Sequence, residues 1–123
     1  MKILLVLFVG GGLGTLARFF LGRWLNSFMG AFPLGTFLVN IIGCFLIGYF
    51  VFSIHRFSES SLLWKGFLVT GFCGGFTTFS SFSFENVELL QQQQIATFLL
   101  YTLGSIAVGF LATFLGILLA KGI

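Results

Sequence analysis

Four stretches of the chain, 3–23, 34–54, 62–90 and 95–120, are long and almost free of charge. At about 1.5 Å of rise per residue, roughly 20 apolar residues span the hydrocarbon of a bilayer. A helix apolar on all sides has no face to turn toward water. The chain has little polarity to supply such a face elsewhere. It holds six Lys and Arg and three Asp and Glu in 123 residues, 58% of them hydrophobic. About a quarter of a soluble domain is charged; here the share is 7%. The expectation is an all-α integral membrane protein with four transmembrane helices in a single domain over 1–123. A soluble enzyme, a nucleic-acid binder and a secreted disulfide scaffold are all disfavoured.

The net charge of +3 and the pI near 9.2 reflect few titrating groups rather than a basic surface. No Lys/Arg patch is present to meet nucleic acid. Cys44 and Cys73 fall inside apolar stretches and read as small buried hydrophobes. His55 stands alone beside Arg56 in an expected loop, without companion ligands. Lys2 and the apolar run after it resemble the start of a signal peptide. No small-residue cleavage site precedes a polar chain, so the segment reads as a retained first span. The intervening loops carry Trp24, Asn26, Ser27 and Pro33, then Arg56, Ser58, Glu59 and Ser60. Glu85, Glu88 and Gln91 to Gln94 are expected to leave the hydrocarbon.

Four helices place both termini on one side. That side carries Lys2, Arg56, Lys65 and Lys121, and the other carries Arg23 and, within the span, Arg18. The positive-inside bias is small. So weak a bias is compatible with insertion in both orientations and with an antiparallel dimer.

A lipid-facing surface needs only apolar side chains, so small and polar residues at helical spacing mark helix contacts or a pathway. Gly10, Gly14, Arg18 and Gly22 share a face of the first span. Arg18 reads either as a snorkelling interfacial arginine or as a fixed positive charge at a vestibule. Thr36, Asn40, Cys44 and Gly48 form a row in the second span. Asn40 must hydrogen-bond inside the assembly, as interhelical glue or as a donor lining an ion path. Thr97, Tyr101, Ser105, Gly109 and Thr113 form a row in the fourth. Its hydroxyls have the alternative of bonding back to their own helix.

The third span differs. Gly71, Gly74 and Gly75 weaken a helix by up to about 1 kcal/mol each relative to Ala. The hydroxyls after them offer the backbone other partners. These features predict a break near mid-membrane, around Gly74 to Thr78. Freed carbonyls there are hard oxygen ligands suited to a small cation. Phe79 and Phe82 follow at a spacing of three. With 19 Phe in the chain, they read either as rings that face lipid or fill gaps, or as electropositive edges suited to replacing water around an anion.

Four motifs together resemble the Fluc/CrcB family of small microbial fluoride channels. They are Gly11–Gly12–Leu13–Gly14–Thr15–Leu16–Ala17–Arg18–Phe19, then Gly35–Thr36–Phe37–Leu38–Val39–Asn40 with Gly43. The third is Gly71–Phe72–Cys73–Gly74–Gly75–Phe76–Thr77–Thr78–Phe79–Ser80–Ser81–Phe82, and the last is Gly104–Ser105. The third is highly specific, and the match covers essentially the whole chain. The resemblance implies a fluoride-selective channel that passively exports fluoride across the cell's inner (plasma) membrane. It also implies an antiparallel, dual-topology homodimer in the lipid bilayer, with two pores. Phe79 and Phe82 would line each pore with Asn40, Ser105 and a hydroxyl track containing Thr78 and Ser81. Arg18 would stand at the vestibule. Gly74 and Thr77 would hold a structural Na⁺ at the dimer axis through backbone carbonyls.

Two positions depart from the family pattern. Gly109 stands where a hydroxyl is frequent, and Ser81 where Thr is common. Two other classes compete. A small four-helix multidrug transporter would need a membrane-embedded Glu, and none precedes Glu85 in the first three spans. A non-conducting assembly protein held by glycine seams would pass no fluoride. An enzyme finds no support, since the Ser, Thr and Cys residues lack a nearby base.

Overall fold

The computed structural model describes residues 1–26, 30–56 and 61–122, and all of its regular structure is helical. Helix α1 is Lys2–Asn26 and α2 is Leu34–Arg56. The third span divides into α3, covering 61–76, and α4, Phe79–Gln91. Helix α5 is Ile95–Ala120. Four segments are long and apolar enough to cross a membrane: Lys2–Asn26, Leu34–Arg56, Leu62–Gln91 and Ile95–Ala120. The expected loop residues Ser27, Ser58, Glu59 and Ser60 lie outside the described residues.

Trp24 and Asn26, expected in a loop, belong to the last turn of α1. The Asn26 side-chain oxygen accepts the Gly35 N–H at 2.8 Å, which ties this turn to the start of α2. At the other end, Arg56 Nη1 donates to the Ala120 carbonyl at 2.7 Å and Lys121 lies over the Phe52 ring. Helix α4 continues through Glu85 and Glu88 to Gln91. It closes where Gln93 takes φ +58°, a left-handed conformation more usual for Gly.

Two backbone-to-backbone seams organise the bundle. Between α1 and α3, a Cβ at Gly14 would fall on the Phe72 carbonyl oxygen and 2.9 Å from the Phe76 nitrogen. A Cβ at Gly71 would lie 3.1 Å from the Gly10 Cα. Between α2 and α5, a Cβ at Gly116 would fall on the Phe45 carbonyl oxygen. Lipid tails are as apolar as leucine, so close packing rather than water exclusion drives these contacts. The outer faces of α1 and α5 show Leu4, Leu5, Phe8, Leu103 and Phe114 exposed, as a lipid-facing surface requires.

The middle of α3, Lys65–Cys73, is wound as a π-helix. This wider winding is uncommon over nine residues and occurs frequently at functional sites. The interruption of the third span falls at Thr77 and Thr78, inside the stretch flagged by the sequence. Thr77 is extended at φ −82°, ψ 156° and Thr78 at φ −147°, ψ 122°. The glycines themselves remain helical. Gly75 instead admits the Gly11 carbonyl of α1, and Gly43 of α2 makes room for the Thr77 methyl.

Gly14→Ala is therefore expected to lower thermal stability in detergent, by about 1–3 kcal/mol for an overpacked contact. Gly12→Ala, where an added Cβ meets nothing within 4 Å, is the control expected to melt at or slightly above the parent. Equal melting of both variants would count against the α1–α3 seam.

Candidate functional site

The site begins with the interrupted backbone. Asn40, on α2, faces Thr78. Its Oδ1 accepts the Thr78 N–H at 2.8 Å and its Nδ2 donates to the Thr78 carbonyl at 3.1 Å. One side-chain amide thus stands in for a neighbouring peptide and satisfies both polar groups of an extended residue. An amide nitrogen carries two N–H donors, so one of Asn40's remains beyond this pair.

Thr78 also caps α4. Its Oγ1 accepts the Ser81 N–H at 3.2 Å and lies 3.2 Å from the Ser80 hydroxyl. In an unbroken helix the Thr78 N–H would serve the Gly74 carbonyl, and the Ser81 N–H would serve that of Thr77. Both N–H groups are diverted to side chains, so neither carbonyl receives its helical donor.

Around this point the predicted residues separate into two spaces that meet at Thr78. The first is a groove of about 460 Å³ on one face of the chain. Asn40, Thr77, Phe79, Phe82, Ser105 and Gly74 contribute to its lining. The Phe79 and Phe82 rings lie 5.9 Å apart at 42°, and Phe79 is 78% exposed. The Ser105 Oγ is buried without a hydrogen-bond partner. Gly109 also lines this groove, with the Cys44 sulfur 3.5 Å from where its Cβ would stand.

The second space is a vestibule of about 230 Å³, toward the α1–α2 connection. Arg18, Arg23, Thr36, Thr78, Ser81 and Glu85 lie along it. The Nε of Arg18 donates to the Gly75 carbonyl at 3.0 Å, so the guanidinium braces α3 as well as facing the vestibule.

Glu85 differs most from expectation. It is held between helices, its Oε2 accepting from the Thr36 hydroxyl and its Oε1 from the Tyr101 hydroxyl, each at 2.8 Å. Its neighbour Asn86 accepts from the Thr102 hydroxyl at 3.0 Å, which pins α4 to α5 a second time. Tyr101 is fully buried, and its ring lies 5.1 Å from that of Phe82. Sequence reasoning put Thr36 and Tyr101 on polar rows but gave none of the three a role in the site. The available pattern was Ser81 and Glu85 four apart on one helix, opposite those two rows.

The family model described as CrcB-like protein, Camphor Resistance (CrcB), matches residues 5–117. The chain belongs to the CrcB family. A protein of Flavobacterium psychrophilum named fluoride-specific ion channel FluC is 43% identical over 122 residues, covering 98% of each chain. A FluC of Gloeothece citriformis is 46% identical over 121 residues, again covering 98% of each.

For this CrcB chain, Asn40→Ala is expected to leave the Thr78 N–H and carbonyl without partners. Leaving one buried polar group unsatisfied costs about 1–3 kcal/mol. The expected result is a lower melting temperature in detergent, with helicity by circular dichroism largely kept. An unchanged melting temperature would show that Thr78 finds other partners.

Proposed function

We propose that this chain is a fluoride-specific ion channel, a multi-pass protein of the cell membrane that lets fluoride leave down its electrochemical gradient. The carrying observation is near-full-length identity of 43–46% to proteins named as such channels. The geometry supports the reading. An anion reaching the vestibule meets the positive charge of Arg18 and then the hydroxyls of Thr78 and Ser81. Beyond Thr78 it meets the remaining Asn40 N–H, the Ser105 hydroxyl and the rings of Phe79 and Phe82. Past Arg18, each contact is a neutral donor or an aromatic ring. Conduction requires binding firm enough to replace water and weak enough to release. The multidrug and assembly-protein alternatives have no counterpart in these relatives' names, and the reading is not that of an enzyme.

Three finer statements belong to the same proposal. The chain is one four-helix transmembrane domain over 1–123. It works as an antiparallel homodimer of mixed orientation. An exposed Phe79 and an open groove on one face support a second copy as cover. A structural Na⁺ lies between the two copies. The Gly74 and Thr77 carbonyls fit such an ion, being hard oxygens deprived of their helical donors. It would neutralise carbonyl dipoles meeting at the two helix breaks.

The decisive experiment is efflux from liposomes loaded with potassium fluoride, read by a fluoride electrode after valinomycin is added. Fast fluoride efflux, absent with chloride, is the expected outcome. No efflux from correctly folded protein would overturn the reading. Phe82→Ile should slow fluoride release while leaving the dimer's elution volume unchanged; unaltered flux would remove Phe82 from the path. For the dimer, a C-terminal tag should be half accessible to protease from outside intact cells. Wholly one-sided accessibility would exclude mixed orientation.

A further inference from the structure

We infer that Phe32, on the connection between α1 and α2, is a positioning residue that holds the Tyr101 hydroxyl on Glu85. This rests on the fluoride-path reading and extends it to the outer end of the site. Tyr101 is fully buried although it sits near the mouth of the bundle. Three rings surround it. Phe82 comes from α4 and Phe37 from α2, at 5.1 and 6.5 Å between centroids. Phe32 meets it edge-on, at 5.5 Å and 76°. The first two are carried by packed helices. Phe32 is not; it belongs to the short bend before α2.

The bend is itself well fixed. Pro33 follows and restricts the backbone of Phe32. The Leu34 N–H donates to the Phe32 carbonyl at 2.8 Å, and the Phe32 ring packs edge-on against Phe37 at 5.5 Å. Phe32 also lines a mouth cavity of about 190 Å³ whose wall includes Glu85, Glu88 and Asn26. Phe32 therefore stands between that cavity and the Tyr101 ring. Without it, the tyrosine loses its outer wall and water gains a route to the Tyr101 hydroxyl. A water there competes with Glu85 for that hydroxyl. The tyrosine would then no longer be held in one rotamer. Phe32 touches no ion on this account; it acts through Tyr101.

The test is a double-mutant cycle on fluoride efflux from liposomes, using Phe32→Ala, Tyr101→Phe and both together. Tyr101→Phe removes the hydroxyl and keeps the ring. Phe32→Ala is expected to slow efflux about tenfold in the parent, a size typical of coupled neighbours. In the Tyr101→Phe background it should cost almost nothing further. Phe32→Tyr, which keeps the ring, should retain the parent rate. A purely structural role would slow both backgrounds equally, and that result would overturn the inference. So would an unchanged rate in Phe32→Ala. Should Phe32→Ala fail to elute as folded protein, Phe32→Leu carries the same cycle with the same two outcomes. Absence of efflux from the parent protein would overturn the fluoride reading and this inference with it. Parent efflux with an additive cycle would overturn the inference alone.

Discussion

The architecture depends on a pair of hydrogen bonds from one asparagine side chain. A backbone that leaves helical geometry within a membrane exposes an N–H and a carbonyl where no lipid can serve them. Asn40 serves both at Thr78, and Thr78 in turn caps the helix that follows. With that pair in place, α4 can start in a new direction. Phe79 and Phe82 then project from its first turn and Ser81 and Glu85 from another face. Without it, the least costly backbone is a continuous helix, which would carry these residues elsewhere. The same diversion of N–H groups leaves the Gly74 and Thr77 carbonyls free of helical donors. One amide thus shapes both the aromatic pair and a pair of hard oxygens.

The glycines support the interruption without causing it. They let α1 press on α3 and α2 press on α5 at backbone distance. Gly75 receives a carbonyl of α1, and Gly43 receives the Thr77 methyl. The broken segment is clasped from two sides, by α1 through Arg18 and the glycine seam and by α2 through Asn40 and Gly43. Close packing is the main attraction available between helices in lipid. Small residues therefore concentrate on the elements that have to hold an irregular strand of backbone in place.

Much of this was legible in the sequence, because length and hydropathy alone fix four apolar helices. The interruption was legible too, since a cluster of glycines followed by hydroxyls disfavours continuous helix. Its mechanism was not. Helix propensity points to Gly74 and Gly75, whereas the extended residues are Thr77 and Thr78, stabilised by a partner 38 positions away. Arg18 and Asn40 were left open between structural and functional readings, and both make structural bonds to the broken helix while facing a cavity. The inward bonds of Glu85 were missed because its neighbours Glu88 and Gln91 to Gln94 read as one polar exit. A one-dimensional pattern shows that polarity begins there. It cannot show that the first carboxylate turns inward to meet hydroxyls from two other helices.

That carboxylate raises the hardest question for an anion path, because a negative charge at the vestibule should repel fluoride. The surroundings answer much of it. Both Glu85 oxygens already accept from hydroxyl donors, so part of the charge is met by dipoles fixed in place. Arg18 and Arg23 border the same vestibule and carry the opposite sign. Thr36 and Tyr101 are then donors held at a known place by a strong acceptor. On the proposed function, an anion beside them would have to compete with Glu85 for those protons, each hydroxyl having one to give. On the same reading, a carboxylate in this position would order the two hydroxyls. Its repulsion would favour release of an anion, which a channel needs as much as attraction.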